Sequence, residues 1–147
     1  MLDPRTHSGL ALLNAMIEGA LPPPPMADTL DFRLVRADQG EVAFHATPTP
    51  RAFNPMGVVH GGWYGALLDS AMGCAVQSTL PPGRLYTTLE YKVNLTRAIP
   101  PGTKGEAIGT VQHAGRTTAV ARAELRGRED GKLYATASTT CLIFDAP

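Results

Sequence analysis

From Leu85 almost to the C-terminus, hydrophobic and polar residues alternate with a period of two, which is the pattern of β-strands. Turn-forming residues interrupt the alternation at Pro100–Gly102, Ala114–Arg116 and Glu129–Gly131. These interruptions predict four strands, near residues 85–96, 105–113, 117–126 and 133–144. We expect consecutive strands of this series to pair as an antiparallel meander.

The first strand of the series is expected to present two different faces, because side chains alternate along a strand. One face would carry Leu85, Thr87, Leu89, Tyr91, Val93 and Leu95. The other would carry Tyr86, Thr88, Glu90, Lys92, Asn94 and Thr96.

A long apolar segment precedes these strands and predicts a buried helix from about His60 to Leu80. Helical spacing places apolar residues on two of its sides: Leu67, Ala71 and Cys74 on one, and Leu68, Met72, Ala75 and Val76 on another. A helix that is apolar nearly all round is normally buried on most of its surface. Ala119, Ala121 and Ala123 alternate along one strand, and their small side chains leave room for this helix.

The N-terminal part of the chain predicts a short amphipathic helix. Asp3-Pro4 favours a helix start, and apolar residues then recur at helical spacing at Leu10, Leu13, Ile17 and Ala20. Four consecutive prolines, Pro22–Pro25, must end this helix and form a stiff linker.

A first β-hairpin is expected after the linker. Alternating apolar residues, Phe32 and Leu34 and then Val42, Phe44 and Ala46, flank the turn-like Ala37–Gly40. We therefore divide the chain into an N-terminal helix with a Pro-rich linker, residues 1–29, and a main domain, residues 30–147. The fold class is α+β, with an antiparallel sheet of about six strands covering one face of a long helix.

The charge balance excludes functions that need a strong surface field. Lys plus Arg and Asp plus Glu number 13 each, so no overall basic field is present to hold nucleic acid or an anionic membrane. The apolar stretch Leu10–Leu21 contains Asn14 and Glu18 and is too short to span a bilayer. We expect neither a nucleic-acid partner nor a membrane partner.

The sequence also lacks the motifs of several other chemistries. His7, His45 and His113 show no metal-ligand spacing, so no metal is expected. Cys74 and Cys141 lie in apolar surroundings, which favours reduced packing residues and a cytoplasmic location. The Gly-x-Ser-x-Gly elbow, the phosphate loop and the Gly-x-Gly-x-x-Gly motif are absent.

The segment from Asn54 to Asp69 concentrates the chemical groups of the chain. The Gly61-Gly62 pair stands where the helix begins, and the first N–H groups of a helix have no partner within it. Such an end attracts a carbonyl oxygen or an anion. His60 and Asp69 are nine positions apart, about 13 Å along the helix and on nearly opposite sides. If both act on one substrate, the site must be built from two chains, which predicts a functional dimer.

The pattern Asn-x-x-Gly-x-x-His-Gly-Gly followed by Leu-x-Asp resembles a known family. Its residues are Asn54, Gly57, His60, Gly61, Gly62, Leu67 and Asp69. Together with the strand 87–95 and its following Pro-Gly turn, the pattern is similar to the hot-dog fold acyl-CoA thioesterases. The resemblance is to the PaaI-like (phenylacetate-pathway) branch of the 4-hydroxybenzoyl-CoA thioesterase superfamily, and it spans roughly residues 30 to 144.

The resemblance implies a hot-dog fold, in which the sheet wraps around one long central helix. It implies a homodimer with a joined sheet, often paired again into a tetramer. The implied reaction is hydrolysis of the thioester of a CoA-activated acid, with no metal and no other cofactor.

The resemblance also assigns roles to residues at the helix start. The backbone N–H of Gly61 would polarise the thioester carbonyl, where an oxyanion develops. Asn54 would donate a second hydrogen bond or orient that end of the site, and His60 would position the loop or contact the sulfur side. Each also has a purely structural alternative: Asn54 as a loop cap and His60 as a histidine bonded to backbone.

Asp69 of the partner chain would act on water as a base, or on the carbonyl as a nucleophile. A carboxylate in an otherwise apolar helix favours such a role, and the sequence does not decide between the two routes. Thr88, or its neighbour Thr87, would hold the attacking water against the acid.

Four residues are expected to contact the substrate. The resemblance suggests that Gly62 lets the backbone approach the substrate, and that Trp63 and Tyr64 narrow or line the acyl pocket. Arg116, after Gly115 in a hairpin turn, resembles a Gly-Arg pair that contacts the CoA nucleotide. Further cations that could hold the phosphates are Arg84, Lys92 and Arg97.

Two other functions fit the same fold. One is a dehydratase acting on a 3-hydroxyacyl thioester, although its usual His-Phe-Pro type loop is absent. The other is a non-catalytic acyl-CoA binding module, which leaves an acidic residue beside the free amides without a role. A purely structural dimerisation role would leave Asp69 unexplained altogether.

Overall fold

A long helix lies against one face of a six-stranded antiparallel sheet in the computed structural model, which describes residues 3–147. The helices are α1 (Gly9–Ile17), α2 (Pro25–Thr29) and α3 (Gly61–Gln77). The strands are β1 (Phe32–Asp38), β2 (Glu41–Ala46), β3 (Arg84–Leu95), β4 (Gly105–Ala114), β5 (Thr118–Gly127) and β6 (Leu133–Asp145). A 3₁₀ turn at Pro50–Ala52 lies in the loop before α3. The predicted α+β hot-dog architecture is confirmed.

The strand order is β1-β2-β4-β5-β6-β3, so the predicted four-strand meander is wrong at its first strand. Strands β4, β5 and β6 do pair in sequence, but β3 pairs with β6 and forms an edge of the sheet. The cause is α3, which is about 25 Å long and carries the chain from β2 across the sheet to the far edge. Strand β4 then returns to pair with β2.

The core lies between α3 and the sheet. Six apolar residues of α3 are fully buried: Leu67, Leu68, Ala71, Met72, Ala75 and Val76. The β5 residues Ala119, Ala121 and Ala123 are buried beside them, as their small size predicted. A Cβ at Gly109 of β4 would collide with the Ala71 carbonyl, so glycine permits this close approach of strand and helix.

Strand β3 does not keep the predicted alternation along its whole length. The pairing of β3 with β6 shifts register between Thr88 and Glu90, which makes Leu89 the extra residue of a β-bulge. Tyr86 and Thr88 face α3 before the bulge, and Tyr91 and Leu95 face it afterwards. The predicted faces are therefore mixed, because one inserted residue reverses every position that follows it.

The N-terminal helix begins later than predicted. Ser8 caps α1 by accepting a hydrogen bond from the Ala11 N–H at 3.2 Å, whereas Asp3 organises a separate turn. The Gly9 N–H donates to the Leu80 carbonyl at 2.9 Å, which fixes the start of α1 at the end of α3. Leu13 of α1 is buried in the core.

The prolines also do more than form a linker. Pro25 occupies the first turn of α2, where a missing N–H costs no hydrogen bond, and Ala27 of this helix is buried. Cys74 and Cys141 are both free thiols. No helix within residues 3–147 has the length and apolar character needed to cross a membrane.

Candidate active site

The loop before α3 is held in shape by Asn54. Its Oδ1 accepts hydrogen bonds from the N–H groups of Met56 at 2.9 Å and Val58 at 3.3 Å. Gly57 takes a φ of 76°, a left-handed conformation that favours glycine. The oxygen of the Asn54 amide is therefore occupied within the loop, and its nitrogen has no partner among residues 3–147.

His60 caps the N-terminus of α3. Its Nδ1 accepts a hydrogen bond from the Gly62 N–H at 2.8 Å, and its carbonyl accepts one from the Trp63 N–H at 3.0 Å. The Gly62 N–H is therefore used within the chain, and the contact of Gly62 with substrate stays a prediction. This bond is the structural role that was considered for His60, and its direct chemical role stays a prediction.

The Gly61 N–H is the one free donor among the first three amides of α3. It has no acceptor within the described residues 3–147, and Gly61 is exposed. The positive end of the helix dipole lies at this amide. A carbonyl oxygen arriving here would therefore meet an unoccupied donor in a favourable field.

Asp69 lies on α3, half-buried, and accepts a hydrogen bond from Thr88 of β3. The distance from Thr88 Oγ1 to Asp69 Oδ1 is 2.9 Å. Desolvation raises the pKa of Asp69 above its ordinary 3.8, and the Thr88 hydrogen bond opposes part of this rise. The sequence had left open the choice between Thr87 and Thr88, and Thr88 is the residue whose hydroxyl donates to the acid.

Two glycines flank Asp69 at helical spacing and let β3 approach the helix. Gly65, Asp69 and Gly73 are four residues apart, so they share one face of α3. A Cβ at Gly65 would lie 3.2 Å from the Tyr91 hydroxyl, and one at Gly73 would collide with Tyr86. Asp69 therefore lies between two tyrosines that the sequence analysis did not assign to the site. The Gly-x3-Asp-x3-Gly spacing is the signal that could have revealed them.

Gly61 and Asp69 do not meet within one chain. They are eight positions apart on one straight helix, which separates them by about 12 Å. This is too far for both groups to contact a single carbonyl carbon and its attacking oxygen.

Trp63 and Tyr64 belong to the core instead of the predicted acyl pocket. Each is only 2% exposed. The indole N–H of Trp63 donates to the Leu30 carbonyl at 2.9 Å, and the hydroxyl of Tyr64 accepts from the Ile99 N–H at 2.9 Å. These two bonds tie the start of α3 to the residues just before β1 and to the loop between β3 and β4.

Arg116 lies in the exposed turn between β4 and β5. Its carbonyl accepts a hydrogen bond from Arg84 at 2.5 Å, and Arg84 also pairs with Asp145 at 2.7 Å. The Arg116 guanidinium itself has no hydrogen-bond or ion-pair partner within residues 3–147. A cavity of about 360 Å³ is lined by both arginines and by Thr79, which follows α3.

The chain matches a known protein family and is similar to solved structures. The profile of the Thioesterase superfamily matches residues 56–134, more than half of the chain. A phenylacetic acid degradation-related protein from Ralstonia eutropha JMP134 is 31% identical, with 88% of this chain and 98% of that one covered and a TM-score of 0.80. No curated protein matches the chain.

Two further solved structures are similar. The E. coli PaaI protein from the phenylacetic acid degradation operon shares the fold, with a TM-score of 0.81 at 20% identity over 95% of this chain and 98% of that one. The smu.793 protein from Streptococcus mutans UA159, bound to acetyl CoA, has a TM-score of 0.71 at 25% identity, with 78% and 90% covered.

Proposed function

This chain belongs to the thioesterase superfamily as a PaaI-like hot-dog thioester hydrolase, and we propose that Asp69 and the free Gly61 N–H carry out its reaction on an acyl-CoA. The observation that carries the proposal is the pair of groups left available by the fold. One is a half-buried carboxylate of raised pKa, and the other is an unoccupied amide at a helix N-terminus.

The Gly61 N–H donates to the carbonyl oxygen of the thioester. As a nucleophile adds to the carbonyl carbon, negative charge grows on that oxygen, and the fixed amide stabilises it more in the transition state than in the ground state. Asn54 holds the preceding loop, and its free amide nitrogen can donate a second hydrogen bond. His60 supports the same end of the helix through its bond to Gly62.

Asp69 is proposed to act by one of two routes, as a general base toward water or as the nucleophile itself. As a base, it takes a proton from water while the water oxygen bonds to the carbonyl carbon, and the C–S bond then breaks with the proton passing to sulfur. As a nucleophile, its oxygen bonds to the carbonyl carbon, CoA leaves as the thiol after protonation, and water hydrolyses the resulting anhydride. A raised pKa makes the carboxylate a stronger base than an ordinary aspartate.

The Thr88 hydroxyl is proposed to position this carboxylate. We expect Thr88→Val to raise the pKa of Asp69 further, because the hydrogen bond that opposes the rise is lost. The acid limb of the kcat/KM profile should then move to higher pH, since the base is protonated over a wider range. Thr88→Ser keeps the hydroxyl and should keep the wild-type profile. An unchanged limb in Thr88→Val would show that Thr88 does not tune Asp69.

We propose that two chains associate through β3, so that Asp69 of one protomer faces Gly61 of the other. Strand β3 is a 12-residue edge strand, and long exposed edges invite pairing with another chain. Its apolar side chains are open to solvent, with Leu89 58% and Leu95 53% exposed. Leu95 lies beside Gly61, so a copy paired on β3 comes close to the free amide. We also propose that two such dimers associate into a tetramer.

Arg116 is proposed to contact the phosphates of CoA. Its unpaired guanidinium lies beyond the C-terminal end of α3, next to the cavity that Arg84 also lines. A guanidinium binds phosphate oxygens through several N–H groups at once.

Release of CoA thiol from a panel of aliphatic and aryl acyl-CoAs tests the proposed function. The purified protein is expected to hydrolyse at least one member at a rate that Asp69→Ala abolishes. If no thioester is hydrolysed, or if Asp69→Ala hydrolyses as fast as the wild type, the proposed function is wrong.

A further inference from the structure

A cavity of about 360 Å³ lies between the N-terminal segment and the side of α3 that carries Ser70 and Cys74. Its inner wall is formed by Ser70 and Cys74 of α3 and by Tyr86 of β3. Its outer wall is formed by Met16 of α1 and the Pro23-Pro24 pair that precedes α2. The segment before the main domain therefore closes a space against the central helix.

Two independent elements place this cavity beside the acid. On α3, the lining residue Ser70 directly follows Asp69. On β3, the lining residue Tyr86 lies two positions before Thr88, on the same face of the strand as the threonine that binds Asp69. Asp69 itself does not line the cavity, which adjoins it along both elements. An acyl group whose carbonyl carbon is attacked at Asp69 would extend toward this cavity.

The residues that line the cavity are mostly apolar, which suits the hydrocarbon part of an acyl group. Ile17, Leu34 and Phe44 supply apolar surface, and the one charged lining residue, Arg33, is exposed. The Ser70 hydroxyl is already satisfied by the Ala66 carbonyl at 2.8 Å. Mostly apolar walls with few polar groups are typical of small-molecule pockets.

The Tyr86 hydroxyl is the exception in this lining. It has no hydrogen-bond partner within residues 3–147. Burial raises the pKa of Tyr86, with smaller contributions from Cys74 and Asp69, so the hydroxyl stays protonated and is a donor. Tyr86 therefore adds a hydrogen-bond donor to the lining, on the strand whose Thr88 binds the acid.

We infer that this cavity is the acyl pocket and that the N-terminal segment sets the length of acyl group accepted, with Met16 as a specificity-determining residue. The inference rests on the proposed function. It replaces the assignment of Trp63 and Tyr64 to the acyl pocket, because both residues are in the core. At ~30 Å³ for each water-sized group, the space holds roughly ten such groups. An acyl group of about that size would fill the pocket, whereas an acetyl group is too small to do so.

Met16→Trp tests the inference, with Met26→Trp as the matched control. Both methionines belong to the N-terminal segment, but Met26 is exposed and does not line the cavity. We compare kcat/KM for medium-chain or aryl substrates with kcat/KM for acetyl-CoA. Met16→Trp should lower the ratio of these two values by about 10- to 100-fold, because even one methylene in a pocket changes discrimination between substrates by that order. Met26→Trp should keep the wild-type ratio, and Met16→Ala should shift the preference to longer chains.

A binding measurement distinguishes a wrong pocket assignment from a wrong proposed function. The dissociation constants of non-hydrolysable acyl-CoA thioethers of increasing chain length are measured for the same variants by calorimetry. Affinity should rise with chain length in the wild type and in Met26→Trp, and stop rising at a shorter chain in Met16→Trp. A chain-length profile that is the same in the Met16 and Met26 variants overturns the pocket assignment, whether or not hydrolysis occurs. Absence of hydrolysis with a Met16-dependent binding profile would instead reject the proposed function alone.

Discussion

Asp69→Asn is expected to abolish most of the thioesterase activity while leaving a protein that is more stable than the wild type at neutral pH. An asparagine oxygen can still accept the Thr88 hydrogen bond, but it can neither take a proton from water nor attack a carbonyl. The loss in kcat should be roughly 10²- to 10⁴-fold, the usual contribution of a positioned base.

The gain in stability follows from the direction of the pKa shift. Because the folded-state pKa of Asp69 is raised above 3.8, the folded protein binds this proton more tightly than the unfolded chain does. The wild type therefore loses stability as the pH rises from the ordinary pKa of the carboxyl through its raised folded value. Asp69→Asn carries no charge to desolvate and escapes that loss.

Denaturant unfolding of both proteins across this pH range measures the effect. The advantage of Asp69→Asn in free energy of unfolding should be present at pH 7 and should shrink as the pH falls toward 3.8. A variant that is inactive but also less stable at pH 7 would indicate that Asp69 serves the fold and not the reaction.

Gly61→Pro is expected to lower kcat by roughly 10²- to 10³-fold, because proline removes the one free amide at the start of α3. The substitution suits the fold at this position. Proline is favoured in the first position of a helix, and the preceding residue, His60, already has an extended backbone with a ψ of 137°. The lost N–H makes no hydrogen bond in the chain, so helix stability should change little.

Gly61→Ala is the matched control for this variant. Its added Cβ lies 3.3 Å from the Leu95 side chain, a contact that a proline Cβ also makes, but the N–H remains. We expect Gly61→Ala to retain most of the activity in the same thiol-release assay. If the alanine and proline variants lose activity equally, the effect comes from the side-chain contact, and the amide has no role in catalysis.

The local pattern of the sequence predicted the helices and strands well, because it depends on short-range periodicity. The apolar run after His60 predicted α3 to within a few residues, and the turn signals predicted the later strands. The position of β3 at the sheet edge was missed, since strand order depends on where a long helix delivers the chain. The bulge at Leu89 was missed because both faces of β3 mix polar and apolar residues, so one extra residue leaves no mark on the pattern.

The sequence predicted the site as a set of residues, and it could not predict how those residues lie relative to one another. The motif identified Gly61 and Asp69 as candidates, and the resemblance of the following strand identified Thr88 or Thr87. The structure leaves the Gly61 N–H free and joins the Thr88 hydroxyl to Asp69. Trp63 and Tyr64 were assigned to a pocket because they follow the glycines, yet their partners Leu30 and Ile99 are distant in sequence and draw them into the core. Tyr86 was overlooked, because its place beside Asp69 depends on the absence of a side chain at Gly73.

The claim that one site combines Asp69 of one protomer with Gly61 of its partner is tested most directly by mixing two inactive variants. Asp69→Asn and Gly61→Pro are co-refolded in equal amounts, and thioesterase activity is measured. In a mixed dimer, one site carries both substitutions and the other carries neither. With random assortment, half of the dimers are mixed, so activity should return to about a quarter of the wild-type value. Activity that stays at the level of the separate variants, although mixed dimers form, would contradict the shared site.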